Sequence, residues 1–423
     1  MKSISYMRIS AFSVFFLLIL LGISSMAVAK QPEACDVRLT AGDPVEGAEF
    51  GRSVAIDGNL VAVGAGNANA GSTSGAGAVY LFHRQGQTYI REAKLVAPDA
   101  TSGAEFGRAV AIQGNLVAVG SRFAEAGGLE KAGAVYLFRK HMGSWRYEAK
   151  VSSPNPADED NFGRAVALQG NILVVTSRKE ESGADDVEAD DVGAAYVFLH
   201  RGNRWIFSEK LTAGDPVPKA YFGQSVALRG NLLAIGARNA DPEGAGAVYL
   251  FQRTGEGWKE FAKVIPPDGA KDDNFGFTVA MLGNTMAVGA RRADPGGTED
   301  AGAAYVFSVS GHTVDHVATL TASDGQKKDQ FGQSIAMAGD VIAVGANRAD
   351  IGKNAGKKGD QGAIYLFRRA DNSWKQIRKM TACDGLAGDE FGYSLSAFGN
   401  KLVTGAHFAD STAGAAYVLP LKP

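Results

Sequence analysis

The chain has 423 residues and a formal net charge of −2, so it lacks the excess of basic residues that marks nucleic-acid-binding proteins. With only two cysteines, disulfides cannot hold the whole fold together, and 54 glycines indicate a chain that turns often. We therefore expect a fold stabilised by an apolar core, with no nucleic-acid partner.

The first 29 residues have the pattern of a secretory signal peptide. Lys2 and Arg8 precede an apolar run from Ala11 to Ile23, and Ala27-Val28-Ala29 supplies the small residues typical of a cleavage site. The run is short for a membrane span, which needs about 20 residues. We expect cleavage after Ala29 rather than a retained anchor, no span in the remaining chain, and a secreted, periplasmic or cell-surface location.

The rest of the chain, residues 30–423, is predicted to be one domain built from seven repeats. Each repeat begins with a Phe-Gly pair, and successive pairs are 53 to 60 residues apart. The pairs are Phe50-Gly51, Phe106-Gly107, Phe162-Gly163, Phe222-Gly223, Phe275-Gly276, Phe331-Gly332 and Phe391-Gly392. Repeats of this period indicate a solenoid, a propeller or an array.

Within each repeat the pattern predicts four antiparallel strands. Two short apolar runs flank a tight turn such as Gly58-Asn59, which is typical of a hairpin. A polar loop leads to a third run with a recurrent tyrosine, and a fourth run often begins with tryptophan. Four strands repeated seven times favour an all-β, closed seven-bladed β-propeller, in which the aromatic residues pack in the core.

The two ends of the chain predict how the ring closes. The seventh repeat stops after its third strand, Gly414 to Leu419, while residues 39–45 near the N-terminus repeat the end of a fourth strand found at residues 211–217. We expect Asp36 to Thr40 to complete the last blade, because closure protects sheet edges that would otherwise aggregate.

These repeats resemble the FG-GAP family, whose repeats form the propeller head of integrin α subunits. The matching pieces are Phe-Gly at the start of strand one and Gly-Ala after strand two, as at Gly64-Ala65. Many family members carry a calcium loop between strands one and two, but here that connection is only a tight turn, too short for six to eight oxygen ligands. The resemblance implies a calcium-free, bacterial-type protein that binds something outside the cell, and we expect no cofactor or metal.

One face of the predicted propeller carries the candidate binding site. The loops between strands two and three and between blades (the 2–3 and 4–1 loops) are long and variable there, and such loops usually carry function. The residue after each Phe-Gly pair should line the mouth of the channel. Around the ring these residues are Arg52, Arg108, Arg164, Gln224, Phe277, Gln333 and Tyr393.

The 2–3 loops add further arginines to this face, namely Arg122, Arg178, Arg238 and Arg291. Three residues later the same loops carry an acid or, once, asparagine: Asn69, Glu125, Glu181, Asp241, Asp294, Asp350 and Asp410. Two interpretations stay open. The arginines of blades one to three, together with Gln224, bind an anionic group bidentately, or each arginine pairs with a neighbouring acid and ties adjacent loops together. The predicted partner is a protein or an anionic glycan.

The 4–1 loops carry clustered carboxylates, with Asp268, Asp272 and Asp273 in one, Asp324 and Asp329 in the next, and Asp384 and Asp389 in the last. They either hold a cation or form ordinary Asp-Gly turns. The second interpretation is the one we expect.

No catalytic motif is found, so we expect a binding protein and assign no catalytic residue. His312 and His316 lack a third metal ligand, and His407, although on the candidate face, has no nucleophile motif beside it. A propeller hydrolase or lyase acting on an extracellular polysaccharide stays open as an alternative, as does a docking platform for another protein. We expect a monomer, and we expect Cys35 and Cys383 to stay unbonded because they should lie toward opposite faces.

Overall fold

The computed structural model describes residues 37–181, 191–240, 244–351, 359–371 and 373–421. The predicted signal peptide at residues 1–29 lies outside these ranges. Among the described residues there is one short 3-10 turn, Pro295–Gly297, and nothing helical that has the length and hydropathy to cross a membrane.

All other regular structure is β-strand. The first half of the chain contains β1 (Val37–Leu39), β2 (Phe50–Asp57), β3 (Leu60–Ala65), β4 (Ala78–Gln85), β5 (Thr88–Leu95), β6 (Phe106–Gln113), β7 (Leu116–Ser121), β8 (Ala134–His141), β9 (Ser144–Val151), β10 (Phe162–Gln169), β11 (Ile172–Ser177), β12 (Ala194–Arg201) and β13 (Arg204–Leu211). The second half contains β14 (Phe222–Arg229), β15 (Leu232–Ala237), β16 (Ala247–Thr254), β17 (Gly257–Val264), β18 (Phe275–Leu282), β19 (Thr285–Ala290), β20 (Ala303–Ser310), β21 (Thr313–Leu320), β22 (Phe331–Ala338), β23 (Val341–Ala346), β24 (Ala363–Ala370), β25 (Ser373–Met380), β26 (Ser394–Phe398), β27 (Lys401–Ala406) and β28 (Ala415–Pro420).

These strands form seven four-stranded antiparallel sheets, which confirms the predicted seven-bladed propeller. In blades one to six, β2–β5 through β22–β25, the strand order in the sheet follows the chain. The first strand of every blade lines a common central cavity, and the fourth lies at the outer rim. Two-residue turns such as Gly58-Asn59 join strands one and two, so this connection has no room for a calcium loop.

Blade seven is completed by the N-terminal strand, as predicted. Its sheet has the order β1-β28-β27-β26. Val37 lies opposite Val418, Arg38 opposite Tyr417 and Leu39 opposite Ala416. The pairing covers the last strand with a partner and leaves the ring closed, since no blade lacks its fourth strand.

The recurrent aromatic residues form the core, as the sequence predicts. The phenylalanine of each Phe-Gly pair is fully buried and packs against the tyrosine of strand three, tilted in blade three and edge-on in the other six; the ring centroids of Phe50 and Tyr80 are 5.4 Å apart. The second strand of blade one, β3, is buried along its whole length. Such aromatic pairs add about 0.5 to 1.5 kcal/mol beyond the area they bury, so each blade carries the same stabilising unit.

A glycine before each third strand sets the spacing between blades. Gly77, with a φ of 94°, pairs with Phe106 of the next blade, and a Cβ added there would lie 2.1 Å from the Phe106 carbonyl oxygen. Gly414 pairs with Phe50 in the same way across the closure. Only glycine permits this backbone contact, because any side chain would push the two blades apart.

The expectation about the cysteines is wrong. Cys383 is disulfide-bonded, and Cys35, which lies outside the described residues, is the chain's only other cysteine. One contact between neighbouring blades involves their fourth strands. It joins the residue four positions before the end of one fourth strand to the residue three positions after the end of the preceding fourth strand. Gln376, for example, accepts the N–H of Ser323 at 3.0 Å. Cys383 has the position of Ser323 in its own repeat, three residues after the end of β25, so it lies at a contact between blades.

Candidate functional site

In blades one to six, a break in the ladder of the first strand turns the residue that follows Phe-Gly toward the central cavity. In blade one, Phe50 pairs with Ala65 but the next pair is Ser53 with Gly64, so Gly51 and Arg52 are left out of register. An irregularity of this kind redirects a side chain. Here it places the side chain of Arg52 in the wall of the central cavity.

All seven of these residues line one cavity of about 290 Å³, as the sequence predicts for the channel mouth. They are Arg52, Arg108, Arg164, Gln224, Phe277, Gln333 and Tyr393. Three arginines on consecutive blades thus face an arc of neutral side chains. The lining contains no aspartate, glutamate, histidine or cysteine.

The compensation of these charges differs from blade to blade. Arg52 lies 3.3 Å from Glu49 and Arg108 lies 3.6 Å from Glu105, where each glutamate is the residue before Phe-Gly. Blade three has Asn161 at that position. As a result, Arg164 has no carboxylate partner among the described residues.

The loop arginines approach the same ring instead of the acids three residues later. Arg122 donates to Glu105, at 2.6 and 2.9 Å, rather than to Glu125. Arg178 donates to the amide oxygen of Gln224 at 3.4 Å, which brings this pair of predicted site residues together. Arg122 therefore pairs with a neighbouring acid and ties two adjacent loops together, as the second interpretation predicts, although the acid is Glu105 and not Glu125.

Aromatic rings hold the remaining loop arginines. The guanidinium of Arg238 lies 4.6 Å from the ring centre of Tyr221, and that of Arg291 lies 4.0 Å from the ring centre of Phe277. Arg291 also donates to Gln333 at 3.1 Å. Cation–π contacts of this type orient a guanidinium without neutralising it.

The loop acids have structural roles of their own. Asp294 and Asp350 accept backbone N–H groups of their own loops, from Asp300 at 2.7 Å and Asp360 at 3.0 Å. Asp410 instead pairs with Arg38 of the closing strand. Asp241 lies outside the described residues.

The crowding of positive charge is visible in the arginine pKa values. Burial first, and then Arg108 and Arg178, hold the pKa of Arg164 well below its ordinary value. Burial together with Arg238 and Arg122 lowers the pKa of Arg178 to about 10. Burial would raise the pKa of Tyr393, but Arg108, Arg52 and Arg164 lower it below its ordinary value. The mouth is therefore a site where negative charge is favoured.

The carboxylates of the 4–1 loops divide into two structural groups. Asp268, Asp324 and Asp384 accept the hydroxyl of a core tyrosine at 2.8 to 2.9 Å. Asp273 and Asp329 accept a backbone N–H three residues earlier, and burial raises the pKa of each to about 6. The described residues contain no cluster that could hold a metal ion. Asp273 and Asp329 thus stabilise turns of the kind that the second interpretation predicts.

The histidines do not converge. His312 stacks on Phe261, with ring centroids 4.9 Å apart, whereas His316 contacts the hydroxyl of Thr319 at 3.1 Å. His407 is fully buried beside Tyr393, and neither of its ring nitrogens has a hydrogen-bond partner. Burial, and then Arg52 and Arg108, lower the pKa of His407 to about 2, so it adds no charge to the mouth.

Sequence reasoning missed the polar contacts behind the neutral arc. Glu390 accepts from Asn347 at 2.8 Å and lies 3.9 Å from His407, and all three side chains are buried. The signal for them is positional. Glu390 precedes the last Phe-Gly pair as Glu105 precedes the second, and Asn347 and His407 occupy the position of Arg122 in their repeats.

A ring of blades with an arginine-rich mouth defines the molecule as a propeller scaffold for binding or interaction. The model of the FG-GAP repeat matches residues 36–82, 89–138, 145–198, 205–251, 258–307, 314–367 and 374–419. The chain therefore belongs to the FG-GAP repeat family. Each match runs from the outer strand of one blade to the third strand of the next, so the sequence repeat straddles two blades. No curated protein matches the chain.

Proposed function

We propose that this protein is exported and that its propeller binds the anionic group of an extracellular protein or glycan at the face bearing the 2–3 and 4–1 loops. One observation carries this proposal. Arg52, Arg108 and Arg164 lie on consecutive blades in the lining of one cavity without a carboxylate, and Arg164 has no acidic partner among the described residues. FG-GAP repeats, which are typical of extracellular proteins, support export.

The free-energy cost of burying these arginines favours the binding of an anionic group from a ligand. Burying a guanidinium beside others costs free energy unless the charge is paired and its donors are satisfied. The Nε atoms of Arg52, Arg108 and Arg164 are buried without a hydrogen-bond partner. A carboxylate or sulfate supplies both the charge and paired acceptors, because guanidinium groups bind such anions through two parallel hydrogen bonds.

The same lining argues for binding rather than catalysis. A hydrolase or lyase needs paired acids or a nucleophile with its base in the pocket. The acids with the largest rise in pKa, such as Asp273 and Asp329, accept backbone N–H groups of their own loops, and neither lies in the cavity wall. Their shifts come from burial in a turn.

The test is a triple variant in which Arg52, Arg108 and Arg164 are changed to glutamine. Binding of sulfate, glucuronate and a panel of sulfated and uronic-acid polysaccharides is measured by calorimetry on the chain from residue 30 onward. Because hydrogen bonds to charged groups contribute about 1.5 to 3 kcal/mol each, we expect affinity to fall at least a hundredfold.

The matched control removes the same charge from the opposite face, at the ends of third strands: Arg84, Arg201 and Arg253 to glutamine. Its affinities should stay within about twofold of the parent, since these arginines are partly or fully exposed on the other side of the propeller, where their charges are screened. Equal binding by parent and triple variant would contradict the proposal. Turnover of any polysaccharide by the parent, with products separated by chromatography, would favour the enzyme alternative.

A further inference from the structure

Directly below the arginines, the wall of the central cavity becomes aliphatic. Two residues after the mouth position, all seven first strands carry a branched aliphatic side chain that lines the same cavity. These residues are Val54, Val110, Val166, Val226, Val279, Ile335 and Leu395. The next alternate position is again apolar in every first strand, as in Ile56, Ile112, Leu168 and Leu228.

The hydroxyl groups between these two rings do not make the wall polar. Ser53 donates to the carbonyl oxygen of Gly107 in the next blade at 2.8 Å, and Ser394 donates in the same way to Gly51 at 2.8 Å. Their hydrogen-bonding capacity is used between blades. The larger side chains that face the cavity are therefore charged, amide or aromatic at the mouth and aliphatic below it.

The aliphatic ring keeps part of its surface uncovered. Val110, Val166, Val226 and Leu395 are only partly buried, although valine and leucine at the centre of a closed fold are ordinarily covered on all sides. Apolar surface that lines a concave space is typical of a ligand pocket. From the mouth position to the second aliphatic position, a strand advances about 13 Å, enough for an extended aliphatic chain.

We infer that the channel binds an amphiphilic anion, with its carboxylate or sulfate at Arg52, Arg108 and Arg164 and an aliphatic chain against the valine ring. This inference rests on the proposed function, because the head group uses the same three arginines, and it adds the chemical class of the group that enters the channel. The acidic group of a sugar can bind at the mouth, but its hydroxyls would be buried without partners if the sugar entered the aliphatic part.

The first arm of the test uses the unaltered chain from residue 30 onward and the probes acetate, butanoate, hexanoate and octanoate, titrated by calorimetry below their micellar concentrations. Each methylene that enters the apolar part should raise affinity about fourfold. A constant affinity along the series would overturn the inference while leaving anion binding intact. No binding of any probe or of sulfate would overturn both proposals.

The second arm tests where the aliphatic chain of the probe binds. Val110, Val166 and Val226 are changed together to threonine, which has the same shape and a hydroxyl. Acetate should bind as in the parent, while octanoate should bind at least tenfold more weakly. A matched control, Val317→Thr on the exposed outer strand β21, should change neither the acetate affinity nor the octanoate affinity.

Octanoate binding that is equal in the parent and the triple threonine variant would place the chain elsewhere and overturn the inference. Far-ultraviolet circular dichroism checks that the variant is folded. If it is not folded, the chain-length series in the unaltered protein decides alone.

Discussion

Blade two and blade seven have the same four-stranded sheet, but they are assembled differently. Blade two is one continuous stretch, β6 to β9, and its outer strand has eight residues. Blade seven joins the two ends of the chain, and the described part of its outer strand has three residues, Val37–Leu39. An outer strand without a hairpin to hold it must be fastened by side chains.

The closure has one contact that recurs between other blades and two that are added to it. Arg38 pairs with Asp384 at 3.1 Å, as Lys94 pairs with Asp43 and Lys379 with Asp324. Arg38 also pairs with Asp410 at 2.5 Å, and Cys383 beside Asp384 is disulfide-bonded. In another blade, the residue at the position of Cys383 makes a hydrogen bond, from the N–H of Gly214 to Glu260 at 2.9 Å. The comparison teaches that a disulfide and a second ion pair supplement the usual inter-blade contacts where the outer strand has no hairpin.

Removing residues 30–42 should have the largest effect. The deletion uncovers the edge of β28 and takes Leu39 and Ala41 out of the core of the first and last blades. We expect the melting temperature of the whole propeller to fall by more than 10 °C or cooperative unfolding to be lost. The control begins at residue 30, and an unchanged melting temperature would contradict the role of β1 in closure.

Changing Cys383 to serine should cost the next largest amount of stability. The disulfide joins positions near the two ends of the chain, and cross-links that close long loops stabilise most, so we expect a loss of about 3 to 5 kcal/mol in the free energy of unfolding. Denaturant titration of the variant measures it. The unaltered protein after reduction should show the same value, and a variant as stable as the oxidised parent would refute the argument.

The pH dependence should differ between the closing blade and its neighbour. The buried Asp329 has a pKa of about 6, above the ordinary 3.8, because burial disfavours its charged form. The folded state therefore keeps this proton longer than the unfolded chain, and the stability it contributes below about pH 4 is lost as the pH rises through about 6. Asp329→Asn should remove about 1 to 2 kcal/mol of that dependence between pH 4 and 7.

Asp389, the equivalent acid before the closing blade, sharpens the comparison. Burial raises its pKa as well, while the N–H of Leu386 and Arg38 oppose the rise, as the N–H of Gln326 and Lys379 do at Asp329. Asp389 is slightly more exposed than Asp329, at 6% against 3%, so Asp389→Asn should change the pH dependence of the free energy of unfolding less than Asp329→Asn does. Urea titrations at the same two pH values measure the difference, and a larger effect at Asp389 would contradict the assigned role of burial.

The smallest effect is expected for Arg38→Gln, which removes both ion pairs of the closing strand. The side chains of Arg38, Asp384 and Asp410 are about one third to one half exposed. The free energy of unfolding should therefore fall by about 0.5 to 1 kcal/mol. A matched control is Lys259→Gln, which breaks an exposed pair with Glu256 away from the closure and should change stability less. Equal losses of unfolding free energy in the two variants would mean that the ion pairs of Arg38 stabilise the closure no more than an ordinary surface ion pair does.

Most of the fold could be predicted from the sequence because every repeat contains the same local sequence features. Seven Phe-Gly pairs, a glycine turn in each hairpin and a tyrosine in each third strand determined the number of blades and the strand order. The orphan strand ending at residues 39–45 determined how the ring closes. The repeat features depend on periodicity and on neighbours within about 60 residues, and the closure depends on a match between two sequence segments, both of which a sequence displays directly.

The site was determined by the sequence only in outline. Its arginines could be named because they recur at one position, but the partner of each depended on the side chains of adjacent blades. Arg122 contacts Glu105 and not Glu125, and Cys383 lies in an inter-blade contact that the linear order of strands did not reveal. These contacts join residues of different repeats across the interfaces between blades, and only the tertiary structure decides which side chains meet there.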